Sequence, residues 1–413
     1  MSHEYRTRIS PVAAALPVLL KLFYLAVCMI AASGGRTTHR APTTGSQTFR
    51  FLFLIPAHNE EMVIGECVRS IRGQTYAPEA LAVYVIADNC SDQTATAARE
   101  AGATVVERSS AGIGGKAIAL QYGLAQLRDQ NVDFDFLVIV DADNVLDRRS
   151  ASEVARALAA DDDGFQSQVE AKNPIDSSLT FGNHLSFVFQ NRIVQEGRAR
   201  MGLPALLCGT GMGFSKAFLG HEAFASQSLT EDRELSMRAL AEGYRFRWIN
   251  SALIYDEKPS ELSALYRQYG RWSSGAILEF QGYARLFAKA LMSKQLIIAI
   301  DILYHITGIM SSFSYLSVFA FATVCLFFGI YWPAVFAAII VAATLLLLTI
   351  GVYHFGQGIR DLSRLWTYIL VRLVGWGSLI RALFRSDEKW VKTRHTRRLS
   401  IDELERTHPP AQR

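Results

Sequence analysis

The stretch "FDFLVIVDAD" (134–143) decides the fold, because it is an unbroken apolar run that ends in two aspartates. A strand that is apolar on both faces is typical of a parallel sheet covered on both sides. The same kind of run occurs at 49–57 ("FRFLFLIPA"), 81–88 ("LAVYVIAD") and 103–108 ("ATVVER"), and segments with helical spacing separate the four runs. This alternation predicts an α/β fold with a Rossmann-like, mostly parallel sheet.

Polar clusters follow three of these runs: "PAHNEE" after the first, "ADNCSD" after the second and "DADN" after the fourth. Ligands bind at the carboxyl ends of strands in open parallel sheets, so these clusters predict a binding site. Its candidate residues are Pro56, Asn59, Glu60, Asp88, Asp141 and Asp143. Dinucleotide and P-loop sites are disfavoured, because no GxGxxG follows the first strand and "GIGGK" (112–116) lacks the P-loop spacing.

The two aspartates of "DAD" are a candidate cation site. Residues two apart in an extended chain point the same way, so Asp141 and Asp143 would share one side of the strand. Two carboxylates suit a hard divalent cation that also takes phosphate oxygens. The alternative is an ordinary strand-end turn, where Asp and Asn are common.

Two further segments carry candidate site residues. The segment 228–248 predicts a helix with Thr230 as its N-cap and with Glu231 and Asp232 in its first turn, where the helix dipole favours carboxylates. A carboxylate there, close to a metal, could act as a general base, and plain helix capping is the alternative. The glycines of "CGTGMGF" (208–214) either let the backbone approach a ligand closely or form an ordinary loop.

The segment "YRQYGRWSSG" (266–275) lies just before the apolar C-terminal half. The planar fork of Arg271 suits a pyrophosphate, and Trp272 offers a flat face to a sugar. Gln268 lies three positions before Arg271, so the two share a face on a helix. An amphipathic surface helix would explain Trp272 but not the whole set.

Long apolar runs predict membrane helices. Residues 11–32 predict one span with Lys21 in its middle, and we prefer an uncleaved anchor to a signal peptide, because the following part looks cytosolic. The runs 314–332 and 333–353 predict two more spans. The segment 294–310 is either interfacial or a further, partly polar span. It holds Asp301 and His305 one helical turn apart, and we interpret them as a polar pair satisfied inside the bundle rather than as a proton relay.

Two segments near the C-terminus have the composition of a membrane surface. Residues 365–384 mix apolar residues with two arginines and two tryptophans, which predicts a helix lying in the interface. Residues 385–400 carry six arginines and lysines and form either a flank facing anionic lipid or a solvated tail.

Bulk composition excludes several classes. The net charge of +4 is small, and no basic patch with interleaved aromatic residues stands out in 50–290, so a nucleic-acid binder is disfavoured. Five dispersed cysteines without a CxxC pair argue against a disulfide framework and against a zinc site, and favour a reducing compartment.

Taken in order, these motifs resemble those of the membrane-bound family 2 glycosyltransferases, the group of the cellulose, chitin and hyaluronan synthases. "PAHNEE" is similar to the family's opening motif, Asp88 to its first aspartate, "DAD" to its metal motif, "TED" to the motif of its catalytic base and "QYGRW" to its Gln-x-x-Arg-Trp. The "KWVKTRH" near the end is similar to a basic element of some bacterial members. The resemblance is greatest to bacterial exopolysaccharide enzymes and implies a GT-A fold.

The resemblance also implies roles. Asp88 and Asp141 would contact a uridine-type nucleoside, with Pro56, Asn59 and Glu60 beside it and Lys116 near the nucleotide. Asp143 would hold Mg²⁺ or Mn²⁺ on the diphosphate. Asp232, next to Glu231, would take the proton from the acceptor hydroxyl, and Gln268, Arg271 and Trp272 would clamp the diphosphate and the acceptor end.

The hypothesis is therefore an inverting glycosyltransferase that passes a sugar from a nucleotide-sugar donor, a UDP-sugar by preference, to a growing exopolysaccharide in a β-linkage. One alternative adds a single sugar to a polyprenyl-linked acceptor, and one of another class is an inactive transporter or polymer-binding scaffold. We expect a bacterial inner-membrane protein with several spans, in contact with membrane lipid, with an export partner left open. Its expected parts are an anchor (1–35), a cytosolic GT-A domain (36–290), membrane and interface helices (291–385) and a basic cytosolic tail (386–413).

Overall fold

The computed structural model describes residues 11–34, 48–110, 114–221, 231–384 and 398–407. The strands are β1 (Phe51–Ala57), β2 (Leu81–Asp88), β3 (Thr104–Arg108), β4 (Phe136–Ile139), β5 (Val145–Leu146), β6 (Gly164–Ala171), β7 (Met212–Ser215) and β8 (Phe246–Asp256). The helices are α1 (Pro11–Ser33), α2 (Ile64–Arg72), α3 (Thr94–Glu100), α4 (Lys116–Asp129), α5 (Ser150–Ala157), α6 (Ser178–Val188), α7 (Glu196–Arg200), α8 (Lys216–His221), α9 (Glu231–Glu242), α10 (Leu262–Met292), α11 (Leu296–Phe327), α12 (Trp332–Phe355), α13 (Ile359–Leu362), α14 (Leu365–Ala382) and α15 (Ile401–Thr407). A π-helical segment, Phe189–Gln195, joins α6 to α7.

The eight strands form one sheet in the order β3-β2-β1-β4-β7-β6-β8-β5. Strands β1 to β4 are parallel to their neighbours in this half, and β6 is parallel to β8. Only β7 and β5 run antiparallel to the strands beside them. The predicted α/β fold with a mostly parallel, Rossmann-like sheet is therefore confirmed.

Apolar side chains cover both faces of the sheet, as the continuous apolar strands predict. On one face, α2, α3 and α5 contribute Ile64, Ala98 and Val154 to a core with β1, β2 and β4. On the other face, α4, α8 and α9 contribute residues such as Leu120 and Leu235. The carboxyl ends of β1, β2 and β4 consequently lie together at one edge of the sheet, between the two layers of helices that cover its faces.

Strands β6, β7 and β8 are not predicted by the apolar pattern. Along β6, Gln166, Gln168 and Glu170 are buried, so the strand shows no apolar run. The helix predicted over 228–248 is too long, because α9 ends at Glu242 and β8 begins at Phe246. The predicted N-cap, Thr230, lies outside the described residues.

The extended geometry predicted for the "DAD" motif is wrong. Strand β4 ends at Ile139, and the chain turns at 142–143. The backbone N–H of Asn144 donates to the carbonyl of Asp141, which closes that turn. The strand-end turn left open in the sequence is therefore what forms, and the argument that Asp141 and Asp143 share one side of a strand does not hold.

Three helices in the described part of the chain are long and apolar enough to cross a membrane: Ala14–Ser33, Met310–Phe327 and Trp332–Phe355. The segment 294–310 is not a separate span, since it forms one continuous helix, α11, with the run that follows. Within α11, Asp301 is buried and contacts Tyr24 of α1 and Arg198 of α7, and His305 lies beside it. The pair is buried inside the bundle, and Oδ1 of Asp301 has partners from outside its own helix, but Oδ2 of Asp301 and Nε2 of His305 have no hydrogen-bond partner among the described residues. The prediction of a satisfied pair is therefore confirmed only in part.

The C-terminal helices pack onto the rest of the protein. The segment predicted to lie in an interface forms α14, which contacts α6 and α10. Beyond it, most of the basic segment lies outside the described residues. Residues 398–407 include α15, whose Leu404 is fully buried against Val145 and Tyr255 at the β8–β5 edge.

Candidate active site

Asp88, at the carboxyl end of β2, links three segments of the sheet edge. Its carboxylate is only 3% exposed. It lies 2.5 Å from Nη1 of Arg108, the last residue of β3, and accepts a hydrogen bond of 3.2 Å from the N–H of Gly115. Since Gly115 precedes the first residue of α4, this contact connects the start of α4 to the end of β2.

The loops after β1 and β2 are joined by side-chain hydrogen bonds. Pro56 pairs with Ile86 near the end of β1. Asn59 has a φ of 56°, which Asn tolerates better than most residues, and its Oδ1 accepts from the N–H of Ser91 at 2.7 Å. The N–H of Glu60 donates to Oγ1 of Thr94 at 2.7 Å. The sequence-predicted residues of these two loops are therefore adjacent.

Lys116 is the centre of the site. As the first residue of α4, it places Nζ 2.6 Å from Oδ1 of Asp141 and donates to the carbonyl of Gly209 at 2.7 Å. Gly209 has a φ of +80°, and a Cβ built there would lie 3.4 Å from Oδ2 of Asp232. Three motifs that are far apart in sequence therefore meet around one glycine.

Asp232 occupies the first turn of α9, and its Oδ1 accepts from the N–H of Arg233 at 2.8 Å. Burial raises the pKa of this carboxyl above its usual range, and the cationic Arg233 and Lys116 oppose the shift. A carboxylate with a raised pKa is a better proton acceptor at neutral pH. The side chain of the neighbouring Glu231 lies outside the described residues.

The turn that carries Asp143 is held from both sides. The amide of Asn144 donates to Oδ1 of Asp143 at 3.0 Å. Nζ of Lys172, a buried residue just after β6, donates to the carbonyl of Asp143 at 2.8 Å. No group of three or more His, Cys, Asp or Glu that could hold a metal occurs within the described ranges. A hard cation here would fit only if substrate phosphate and water completed its ligands, which is how Mg²⁺ is commonly bound.

Three residues at this edge are missed by the sequence reasoning: Lys172, Asp256 and Lys258. Lys258 pairs with Asp256 at 2.6 Å and places its Nζ 3.0 Å from the ring centroid of Phe187. Burial raises the pKa of Asp256 and lowers that of Lys258, and their mutual attraction opposes both shifts. Because Lys172 directly follows β6 and Asp256 ends β8, the strand-end rule would identify both if those strands were recognised in the sequence.

The segment with Gln268, Arg271 and Trp272 is part of helix α10, and the three residues lie within little more than one helical turn. Between them, Tyr269 is buried, donates to Oδ1 of Asn183 on α6 at 3.2 Å and packs edge-on against Trp272. Trp272 itself is 38% exposed. These contacts place this part of α10 against α6 and α14, and α10 begins six residues after Asp256 of the site edge.

Comparison with known sequences gives a family. Residues 49–275 match the family described as "Glycosyltransferase like family 2". The probable glycosyltransferase YdaM of Bacillus subtilis (strain 168) is 25% identical over 232 residues, 54% of each chain. An N-acetylglucosaminyltransferase of Rhizobium leguminosarum bv. viciae is 24% identical over 231 residues, 53% of this chain and 54% of the other. The chain thus spans about half the length of the curated relatives it matches.

Comparison with solved structures supports the fold. A mannosyltransferase from Pyrobaculum calidifontis, solved with GDP-mannose and Mn²⁺, superposes with a TM-score of 0.60 at 19% identity, over 92% of this chain and 99% of the other. The similarity extends past the sheet, since so much of each chain is included.

Proposed function

Because the chain belongs to glycosyltransferase family 2, we propose that it is an inverting transferase that passes a sugar from a nucleotide-sugar donor to a growing exopolysaccharide. The contact set around Lys116 carries the proposal. Lys116 joins Asp141 to Gly209, and Gly209 lies against Asp232. Lys116, which we expect near the nucleotide, thus lies close to Asp232, which we expect to accept the proton.

The proposed reaction is a single displacement. The Asp232 carboxylate takes the proton of an acceptor hydroxyl, whose oxygen forms a bond to the anomeric carbon of the donor. The bond from that carbon to the diphosphate oxygen breaks, and the diphosphate leaves with the electron pair. Attack from the side opposite the leaving group converts an α-linked donor into a β-linked product. The raised pKa of Asp232 supports its assignment as the base.

Binding of the donor is assigned to the rest of the edge. Asp88, Asn59 and Glu60, together with Pro56, would line the nucleoside side, and Lys116 and Asp141 would lie near the phosphates. Asp143 would hold Mg²⁺ or Mn²⁺, which supplies positive charge to the departing diphosphate. The mannosyltransferase of the same fold was solved with Mn²⁺, which supports the use of a divalent ion. Gln268, Arg271 and Trp272 would clamp the diphosphate and acceptor end from α10, and Glu231 would flank the base.

We place the protein in the bacterial inner membrane with several spans and a cytosolic α/β domain. The three apolar helices support this placement. The packing of α1 against α11, and of Cys28 against Gly197 of α7, supports an anchor that is retained rather than cleaved.

Donor turnover by the detergent-purified protein tests the proposal. Purified protein is incubated with UDP- and GDP-sugars and Mn²⁺, and nucleoside diphosphate release and product size are followed. We expect release with one donor, abolition by EDTA with recovery on adding Mn²⁺, and a loss of about 10²–10⁴-fold in Asp232→Asn. The matched control Glu242→Gln alters a carboxylate at the far end of the same helix and should retain turnover. Release that survives in Asp232→Asn would refute the assigned base.

A second candidate is transfer of one sugar to a polyprenyl-linked acceptor. The small membrane part supports it, with three candidate spans in the described ranges. Product size separates the two functions, because a polymerising enzyme gives long chains and the alternative gives a lipid one sugar larger.

A further inference from the structure

The helices that carry the candidate spans, α1, α11 and α12, are the membrane-side helices. A buried polar cluster of Tyr24, Arg198 and Asp301 joins two of them, α1 and α11, to α7 and the α/β region. Arg198 of α7 and Asp301 of α11 have fully buried side chains, and Nη1 of Arg198 pairs with Oδ1 of Asp301. The hydroxyl of Tyr24 on α1 donates to the same carboxylate oxygen. Three helices that are distant in sequence are therefore fixed to one another by a single carboxylate.

The other terminal nitrogen of the Arg198 guanidinium, Nη2, contacts the segment that leads to the candidate active site. It donates to the carbonyl of Pro204 at 2.8 Å. Pro204 begins the segment 204–211, which we call the active-site strap because it contains Gly209. A planar guanidinium can serve two acceptors at fixed angles, whereas an ammonium cannot reproduce that geometry. Arg198 thus sets the position of the strap relative to Asp301.

The strap is held along its length by side-chain hydrogen bonds to its backbone. Gln195 accepts from the N–H of Leu206 at 2.9 Å and donates to its carbonyl at 2.6 Å. Ser236 accepts from the N–H of Leu207, and Gln166 from that of Cys208. The hydroxyl of Ser236 also donates to the carbonyl of Asp232 at 2.8 Å, so a shift of the strap at Leu207 would reach the first turn of α9 through one side chain.

A stabilising role does not account for this cluster. The desolvation of two buried charges commonly offsets their attraction, and Nε of Arg198 and Oδ2 of Asp301 are buried without a hydrogen-bond partner in the described part of the chain, so we expect an apolar set of similar volume to cost little stability. What an apolar set cannot supply is a hydrogen bond to the carbonyl of Pro204. We propose that Arg198, held by Asp301 and Tyr24, is a positioning residue that ties the strap, and through it the Asp232 site, to helices α1 and α11. This inference rests on the proposed function only in its effect on turnover.

The test uses the full-length protein and two variants. The triple variant Tyr24→Phe/Arg198→Met/Asp301→Leu replaces the cluster with apolar side chains. We expect an unfolding temperature at or above that of the wild type, donor KM within about 3-fold, and kcat lower by about 10²-fold, as for a small misplacement of a catalytic group. If the triple variant does not fold, Arg198→Lys keeps the charge for Asp301 but loses the fork, and should lower kcat with little change in unfolding temperature.

A matched control is Arg192→Met. Arg192 also joins the α/β region to a membrane-side helix, through the carbonyl of Phe355 at 3.0 Å, but its side chain does not bond to the strap. We expect its kcat to stay near that of the wild type. Full kcat in the triple variant, or a loss of kcat that merely follows a fall in unfolding temperature in all three proteins, would overturn the proposal.

A readout independent of turnover keeps the two proposals distinguishable. Cys208 lies in the strap, and the rate at which a maleimide modifies it, followed by peptide mass spectrometry, reports the strap's position. We expect faster modification in the triple variant and in Arg198→Lys, and an unchanged rate in Arg192→Met. Unchanged Cys208 modification in the first two would overturn the positioning role. Absence of donor turnover by the wild type, with the labelling pattern as expected, would refute the proposed function alone.

Discussion

Gly182→Ala should destabilise the protein, because α6 and α14 approach each other at a glycine. A Cβ at Gly182 would overlap the carbonyl oxygen of Thr367 and lie 2.7 Å from its carbonyl carbon. To reach the ~3.5 Å at which carbon pairs attract, α14 would have to withdraw by about 0.8 Å or more. The obstacle is backbone and cannot rotate away, so we expect a cost near the upper end of the ~1–3 kcal/mol typical of overpacking.

Gly308→Ala is the matched control, since Gly308 is also in a helix interior but a Cβ there would meet nothing within 4 Å. Replacing a helical glycine with alanine gains about 1 kcal/mol in propensity. The gain applies to both variants, so Gly182→Ala should lose about 2 kcal/mol net and the two should differ by about 3 kcal/mol. On the scale of about 2–4 °C per kcal/mol that holds for domains of about 150–250 residues, their unfolding temperatures should differ by roughly 6–12 °C. A Gly182→Ala protein as stable as Gly308→Ala would refute the close packing of α14 on α6.

Three other changes give distinct outcomes. Arg233→Met removes a cation next to the base and should raise the pKa of Asp232 further, so the acid limb of the kcat/KM profile should move to higher pH. A move to lower pH would contradict the assigned electrostatic effect of Arg233. Leu404→Ala removes a fully buried side chain, which costs about 2–5 kcal/mol at such sites, and should release α15 from the sheet. The release should appear as faster proteolytic cleavage within 398–407, and unchanged cleavage would count against the docking of α15. Gln166→Leu leaves the N–H of Cys208 and the carbonyl of Thr210 without their side-chain partner, at about 1–3 kcal/mol each, and should lower the unfolding temperature. An unchanged unfolding temperature would argue against those two hydrogen bonds.

Half of the sheet could be predicted from the sequence because its strands are apolar throughout. Helices bury β1, β2 and β4 on both faces, and such strands are recognisable in sequence as continuous apolar runs. Strand β6 is equally buried but satisfies its polar residues internally, as when Gln166 bonds to the strap. Such burial depends on a partner about forty residues away, which no local pattern contains.

The site shows the same division. Asp88, Asp141 and Asp232 are predictable as candidates because strand ends and helix starts are visible in sequence, and the structure brings Asp141 and Asp232 together around Lys116 and Gly209. The turn geometry of "DAD" was not predictable from spacing, since it depends on where pairing with β7 stops. The pairing of Arg198 with Asp301 joins positions 103 residues apart and follows only from the packing of α7 and α11 on the same helix, α1.

The docking of α15 on the β8–β5 edge has a consequence for the order in which the chain matures. This helix is synthesised after every other described element, the three apolar helices included. Until it emerges, Val145 of the short outer strand β5 and the neighbouring Tyr255 lack the apolar cover of Leu404, and bare sheet edges invite pairing with other chains. A nascent chain would therefore cover the β5 edge only after the preceding apolar helices had been made, so a chain stalled before that point would leave β5 open to pairing with another strand.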